Sequence, residues 1–217
     1  YMLGLGCCNE HNIGDVQRSI DINIGYLYLD TGMYKEARQY FLSAYARYMA
    51  APENERDISR LTMIYTNLAE SYMLEGDMDN TAQYIDRIEA ECKPHFGDMD
   101  NIYVDSLCAR FYHLIGDADK RDMYIADLEK RLGGRVLIMD IFGDMYEFCL
   151  LMLELDRDDI VVEIINKIEE PIKKTRIANI KRKYLELKIR LYRRNNCEQK
   201  CIEAMNSYYA LSVQLEN

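Results

Sequence analysis

"NIGYLYLDTGMYKEARQYFLSAY", spanning Asn23–Tyr45, is the stretch that decides the fold. Small Gly25 is followed three residues later by Tyr28, and Gly32 then marks a break. Ala37, Phe41 and Ala44 follow at i, i+4 and i+7, the spacing of one helix face. This order predicts two antiparallel helices. The small residue lets them approach closely and the aromatic ring fills the space between them. Glycine at the break takes the left-handed conformation that ends a helix at little cost.

The same grammar returns along the chain. It reads Ala69, Tyr72, Gly76, Thr81, Ile85 and Ile88, then Ala109, Tyr112, Gly116, Arg121, Ile125 and Leu128. A weaker copy is Cys149, Met152, Asp156, Val161, Ile165 and Ile168, and a fifth is Ile189, Tyr192, Asn196, Cys201, Met205 and Tyr208. The steps between copies are 44, 40, 40 and 40 residues. One helical pair cannot bury its apolar face alone, and stacked neighbours do it for one another. Helices are predicted roughly at 1–13, 16–31, 34–50, 55–75, 79–93, 99–115, 118–132, 135–155, 157–170, 172–194 and 197–217. Residues 1–13 read as the second helix of a preceding repeat. The array proper covers 14–217, with repeats near 14–53, 54–97, 98–134, 135–171 and 172–217.

The pentapeptide "GDMDN" occurs at Gly76–Asn80 and again at Gly97–Asn101. Read as punctuation, Gly76 stops a helix and Asp77 or Asp79 caps the next one, opposing its dipole. Gly97 ends a link, and Asp98 opens the helix that carries Tyr112. "GDADK" at Gly116–Lys120 repeats the device. A calcium loop needs about six oxygen ligands with a bidentate Glu at a fixed distance. Neither copy continues that way, so capping is the reading adopted.

Composition agrees. Of 217 residues, 49% are hydrophobic and 29% charged, with only 11 Gly and 3 Pro, so helices are favoured over a turn-dense β fold. The longest apolar run, near Phe148–Leu153, is too short to span a bilayer. The first residues lack the marks of a signal peptide. Seven scattered cysteines read as reduced thiols of a cytoplasmic protein rather than a disulfide framework. The net charge of −10 argues against nucleic-acid binding. Residues 166–200 nevertheless hold 12 Lys/Arg against 4 Asp/Glu. The core of that run, "KKTRIANIKRK" at Lys173–Lys183, reads as a solvated long helix before it reads as an anion contact.

Gly25, Tyr28, Gly32, Tyr34, Ala37, Phe41 and Ala44 resemble a tetratricopeptide repeat, and "TNLAESYMLEGDMDNTAQYI" is similar, with Thr81 where that family prefers Ala. The later copies diverge, and the period is longer than the family's. The resemblance implies an all-α, right-handed superhelix of about five helix-turn-helix pairs. Its concave face would be lined by the first helix of each pair and would bind peptides or proteins. Long repeats rich in Tyr, Met and Cys also resemble the sensory region of bacterial GGDEF diguanylate cyclases. That resemblance implies a regulatory piece of a larger bacterial signalling protein with an output domain after Asn217. A peptide-responsive transcription regulator and an oligomerisation scaffold, for instance a homodimer, are the competing expectations.

Enzyme signatures are sparse. "LGLG" at Leu3–Gly6 lacks a phosphate-loop pattern, "GG" at Gly133–Gly134 is a helix stop, and "NEH" at Asn9–His11 is a fragment of a zinc motif. Cys197 and Cys201 sit four apart without further ligands to complete a tetrahedral set. Cys201 falls on an apolar stripe with Met205 and Tyr208 and reads as core. Adjacent Cys7 and Cys8 point to different helix faces. No catalytic residue, metal or cofactor is expected, and neither a membrane nor nucleic acid is an expected partner. The candidate binding residues of the groove are Tyr26, Thr66, Glu70, Met73, Tyr103, Ser106, Arg110, His113, Tyr146, Arg190 and Arg193. Ile22, Leu29, Leu150 and Leu153 share that face, either as groove wall or as core. A mixture of aromatics, Met, hydroxyls and single charges suits a peptide or a partner helix.

Overall fold

A computed structural model describes residues 10–132 and 138–216. Among these the chain is all-α, with ten helices and no strand. They are α1 (Glu10–Asp30), α2 (Tyr34–Ala50), α3 (Ile58–Glu75), α4 (Met78–Arg87), α5 (Asp98–Leu114), α6 (Ala118–Leu132), α7 (Ile138–Glu154), α8 (Asp158–Lys174), α9 (Ala178–Arg194) and α10 (Glu198–Glu216). The chain divides into two compact units, Tyr1–Asp117 and Ala118–Asn217. The division falls inside the third of the five predicted hairpins.

The five breaks expected from the repeat are built alike. Gly32, Gly76, Gly116, Asp156 and Asn196 have φ of 77°, 87°, 79°, 58° and 54°. At each, the next backbone N–H reaches back to the aromatic or Met of the repeat pattern. Met33 N donates to Tyr28 O, Asp77 N to Tyr72 O, Asp117 N to Tyr112 O, Arg157 N to Met152 O and Cys197 N to Tyr192 O, all at 2.8–2.9 Å. The break residue's own N–H donates to the carbonyl of the following position: Leu29, Met73, His113, Leu153 and Arg193. This pair of bonds satisfies carbonyls that a helix end otherwise leaves orphaned, and it requires the left-handed conformation.

GDMDN acts as punctuation at both sites. The Asp77 carboxylate accepts the Asn80 N–H at 3.1 Å and the Asn80 side-chain amide at 2.7 Å. At the second copy α5 opens at Asp98, and Asp100 accepts the Gly97 N–H at 3.0 Å. Asp57 caps α3 in the same manner, accepting from Ser59 N at 3.0 Å.

In the first unit α1 packs on α2, α2 on α3, α3 on α4 and α3 on α5. The close approach predicted at Gly25 is real, since a Cβ there would overlap the ring of Phe41. Tyr28 stacks on Tyr40 with centroids 5.4 Å apart, and Tyr72 stacks on Tyr84 at 5.8 Å. Both pairs lie across a hairpin, at matching repeat positions. Thr81, the departure from Ala, is fully buried, and its hydroxyl donates to Asp77 O at 2.7 Å. Arg38 joins α2 to α3. It donates to Ser71 O at 3.1 Å, pairs with Glu75 and lies 4.4 Å over the Tyr72 ring.

In the second unit α7 packs on α8 and on α9, α8 on α9, and α9 on α10. Within the α7–α8 hairpin the repeat positions are filled by aliphatic groups, with Met152, Val161, Ile164, Ile165 and Ile168 all buried, while Phe142, Tyr146, Phe148 and Tyr184 are buried elsewhere in the unit. Lys167 Nζ donates to the last carbonyl of α6, Leu132 O, at 2.6 Å.

Boundaries differ from expectation in four places. α1 runs without a break through Gly14, so the predicted division between 1–13 and 16–31 is absent over the described part. Pro52 instead introduces a short 3-10 turn at Glu53–Glu55, and α3 starts after it. α4 gives way to a π turn at Ile88–Cys92, which keeps both Ile88 and Cys92 buried. α8 continues through Pro171 to Lys174, because Ile172 extends the buried stripe of Ile165 and Ile168. The basic run is therefore two helix ends around the link Thr175–Ile177, not one long helix. Lys173 and Lys174 face the negative end of the α8 dipole.

Candidate functional site

Neighbouring hairpins place equivalent positions side by side, and this decides what each candidate residue can do. Glu70 and Arg110 are one repeat step apart. They meet as an ion pair at 2.8 Å between α3 and α5, with side chains 14% and 11% exposed. These two predicted groove residues neutralise each other instead of awaiting a ligand. Met73, Ser106 and Tyr146 are buried at 4%, 3% and 5% exposure and belong to the core, as does Ile22. Burial, followed by nearby Glu186, raises the Tyr146 phenol above its ordinary range. Tyr26 is half-buried and meets Phe41 edge-on at 6.0 Å. Thr66 is half-buried and donates to Thr62 O at 2.8 Å. Leu29, Tyr103 and His113 are half-buried as well.

The second unit brings four of the expected residues together around open space. Leu150, Leu153 and Glu154 of α7 lie beside Arg190, Arg193 and Arg194 of α9, around a cavity of about 380 Å³. The residues fall into three pairs, each 40 apart, so the repeat step itself assembles the cleft. Its floor is leucine and its rim is arginine. Arg190 is braced by Glu186 at 2.9 Å, and that hydrogen bond raises its pKa further. Arg194 is held by Asp158 at 3.0 Å and by Asp156. Arg193 is exposed, and among the described residues it has no acidic partner. Two arginines are thus pre-oriented by carboxylates while the third is open. That arrangement can accept a carboxylate in bidentate fashion and cover an apolar side chain at the same time.

A smaller cavity of about 170 Å³ in the first unit escaped sequence reasoning. It is lined by Arg18, Ile22, Arg60 and Met63 among others. Burial, then the neighbouring Arg60, lowers the pKa of Arg18, which donates to Arg47 O at 3.2 Å. In sequence a buried arginine looks the same as a solvated one, and no local pattern marks it.

The cysteines behave as structural thiols. Cys92, Cys108, Cys149 and Cys201 are buried thiols outside any disulfide, and burial pushes the Cys92 and Cys149 thiols up. Met205, on the same stripe as Cys201, is 46% exposed. Among the described residues no group of His, Cys, Asp and Glu could hold a metal, and no helix is long and apolar enough to cross a membrane. Cys7, Cys8, Leu3–Gly6, Asn9 and Gly133–Gly134 lie outside the described residues, as does the side chain of His11.

Fold and surface together define an all-α protein of repeating helical hairpins. No family model matches the chain, and no curated protein or solved structure matches it.

Proposed function

We propose that this chain is a non-catalytic binding module whose second unit takes an acidic peptide carrying apolar side chains. The observation that carries the reading is the cleft of Leu150 and Leu153 rimmed by Arg190, Arg193 and Arg194. An apolar anchor on the leucine floor supplies area, and carboxylates on the guanidinium fork supply register. The resemblance of the first two hairpins to tetratricopeptide repeats supports the same class of ligand. By the separate resemblance of its long repeats rich in Tyr, Met and Cys to the sensory region of GGDEF diguanylate cyclases, the module would serve as the sensory part of a cytoplasmic bacterial signalling protein.

The test is fluorescence anisotropy with a labelled peptide in which Asp and Glu alternate with Leu and Phe, beside a version with Lys in place of the acids. Binding of the acidic peptide alone is expected. Arg193→Glu should weaken it by about tenfold or more, equal to about 1.4 kcal/mol. Equal binding of both peptides, or full affinity in Arg193→Glu, would sink the proposal.

A further inference from the structure

The small cavity of the first unit has a lining unlike the protein around it. α1 contributes Arg18, Ser19, Ile22 and Asn23, and α3 contributes Arg60, Met63 and Ile64. Among these described lining residues there is no acid, although residues 1–117 hold 19 acidic side chains against 9 basic ones. In the acidic half of the chain, two of the few cations share one cavity. Arg18 is 5% exposed, and its Nη1 donates to the Arg47 carbonyl at 3.2 Å. Arg60 Nε lies 3.8 Å from the Asp57 carboxylate, which is committed to the α3 cap and accepts from Ser59 N at 3.0 Å. The other ionisable groups close by are Glu55, the Tyr48 phenol and Arg56, and the Arg56 guanidinium donates to the Ala51 and Met49 carbonyls. After burial itself, Arg60 acts on Arg18 more strongly than Glu55 does. The leading charge contact of this buried cation is therefore another cation. A guanidinium does not shed its proton to relieve that, and a buried charge stays costly until an opposite charge joins it.

We infer that this cavity is a binding site for a phosphate group, held between the guanidinium forks of Arg18 and Arg60. Such forks match the paired oxygens of a phosphate. Ser19 and Asn23 are uncharged and can donate to the oxygens that remain. Four donor-bearing side chains from two helices suit a tetrahedral oxyanion better than a carboxylate, which offers two oxygens in one plane. The volume of about 170 Å³ equals roughly five or six waters. That takes a phosphate group and is too small for a whole nucleotide. Ile22 and Ile64 are buried and give the site an apolar wall, which strengthens the ion contacts. Ser19, Asn23 and Met63 are the exposed members of the lining, so the group can arrive as free phosphate or at the end of a phosphate monoester. The net negative charge of the chain does not forbid this. At physiological salt, exposed charges are screened beyond about 8 Å, and the lining charges decide.

Isothermal titration calorimetry of the full chain with inorganic phosphate, at an ionic strength held constant with sodium chloride, reads the site. A saturable isotherm is expected, and acetate should give none. Arg60→Gln should weaken phosphate about tenfold or more, the loss of one charge-assisted hydrogen bond. Met63→Glu, which sets an acid at an exposed position of the lining, should do the same with helicity intact by circular dichroism. Arg193→Glu, in the cleft of the second unit, should leave the phosphate affinity unchanged. O-Phosphoserine supplies the monoester arm: binding tighter than inorganic phosphate supports the site with an ester as its source, and weaker binding supports it with the free ion. Absence of saturable phosphate binding overturns the inference. So does full affinity in Arg60→Gln or Met63→Glu, equal binding of acetate, or an affinity that depends on Arg193 instead. The acidic-peptide cleft is scored by anisotropy through Arg193 and this cavity by calorimetry through Arg60, so either can fail alone.

Discussion

The two units solve the same packing problem with different side chains. In the first, hairpins close on tyrosine stacks and on Phe41 against Gly25. In the second, the equivalent positions hold Met152, Ile164 and Ile165, all buried. The break between helices does not vary in this way. Its two backbone bonds and its positive φ recur in both units. Space between helices can be filled by any apolar group of suitable volume, because dispersion and burial are not directional. Reversing a chain in one residue has a single backbone solution here, so the register is kept at the break and relaxed in the fill. Charge divides the units too. Residues 1–117 hold 9 basic and 19 acidic side chains and so carry the whole net charge of −10.

Truncating the fill should produce the largest effect. Phe41→Ala, at a fully buried ring, should cost about 3–5 kcal/mol by urea denaturation. Ile165→Ala, at the equivalent position, should cost about 2–5 kcal/mol. If the aliphatic substitution proves harmless, the two fills are not equivalent and the comparison fails. Overfilling comes next. Gly25→Val drives a side chain into Phe41 and should cost about 1–3 kcal/mol. The breaks sharpen the contrast further. Gly76→Ala, at φ 87°, should cost about 1–2 kcal/mol. Asp156→Gly should change stability by less than about 1 kcal/mol, because relief of the left-handed strain is offset by the freedom glycine regains when unfolded.

The smallest effect concerns pH. Hydrogen bonds from the Asn80 side chain and backbone hold the Asp77 carboxyl below its usual range. A carboxyl depressed in the folded state stabilises above its unfolded pKa, about 3.9. That contribution fades as pH falls through the lower folded value. Asp77→Asn should therefore remove that small stabilisation at neutral pH and so flatten the acid limb of the stability curve, as followed by helicity. An unchanged acid limb would show that the cap is not ionised in the way described.

Much of the fold was legible because helix breaks are local. Gly32, Gly76 and Gly116 announce left-handed turns, and Asp156 and Asn196 are the residue types that tolerate them. The interruption at Pro52 and the late start of α9 were less legible, since the apolar stripe runs on across both places. The candidate surface was legible only in part. Which charges remain open depends on pairs one repeat apart, such as Glu70 with Arg110. The register brings those two together, but single-helix spacing does not reveal it. The same step, applied to Leu150 with Arg190 and Leu153 with Arg193, marks the cleft.

The tyrosine stacks also give the molecule an optical asymmetry. The chain has 18 tyrosines and no tryptophan, and 12 of the tyrosines fall within residues 1–117. Near-ultraviolet dichroism and intrinsic emission therefore report mainly on the acidic half. Melting of that half can be followed in the native protein without an attached dye, as the larger of two tyrosine signals.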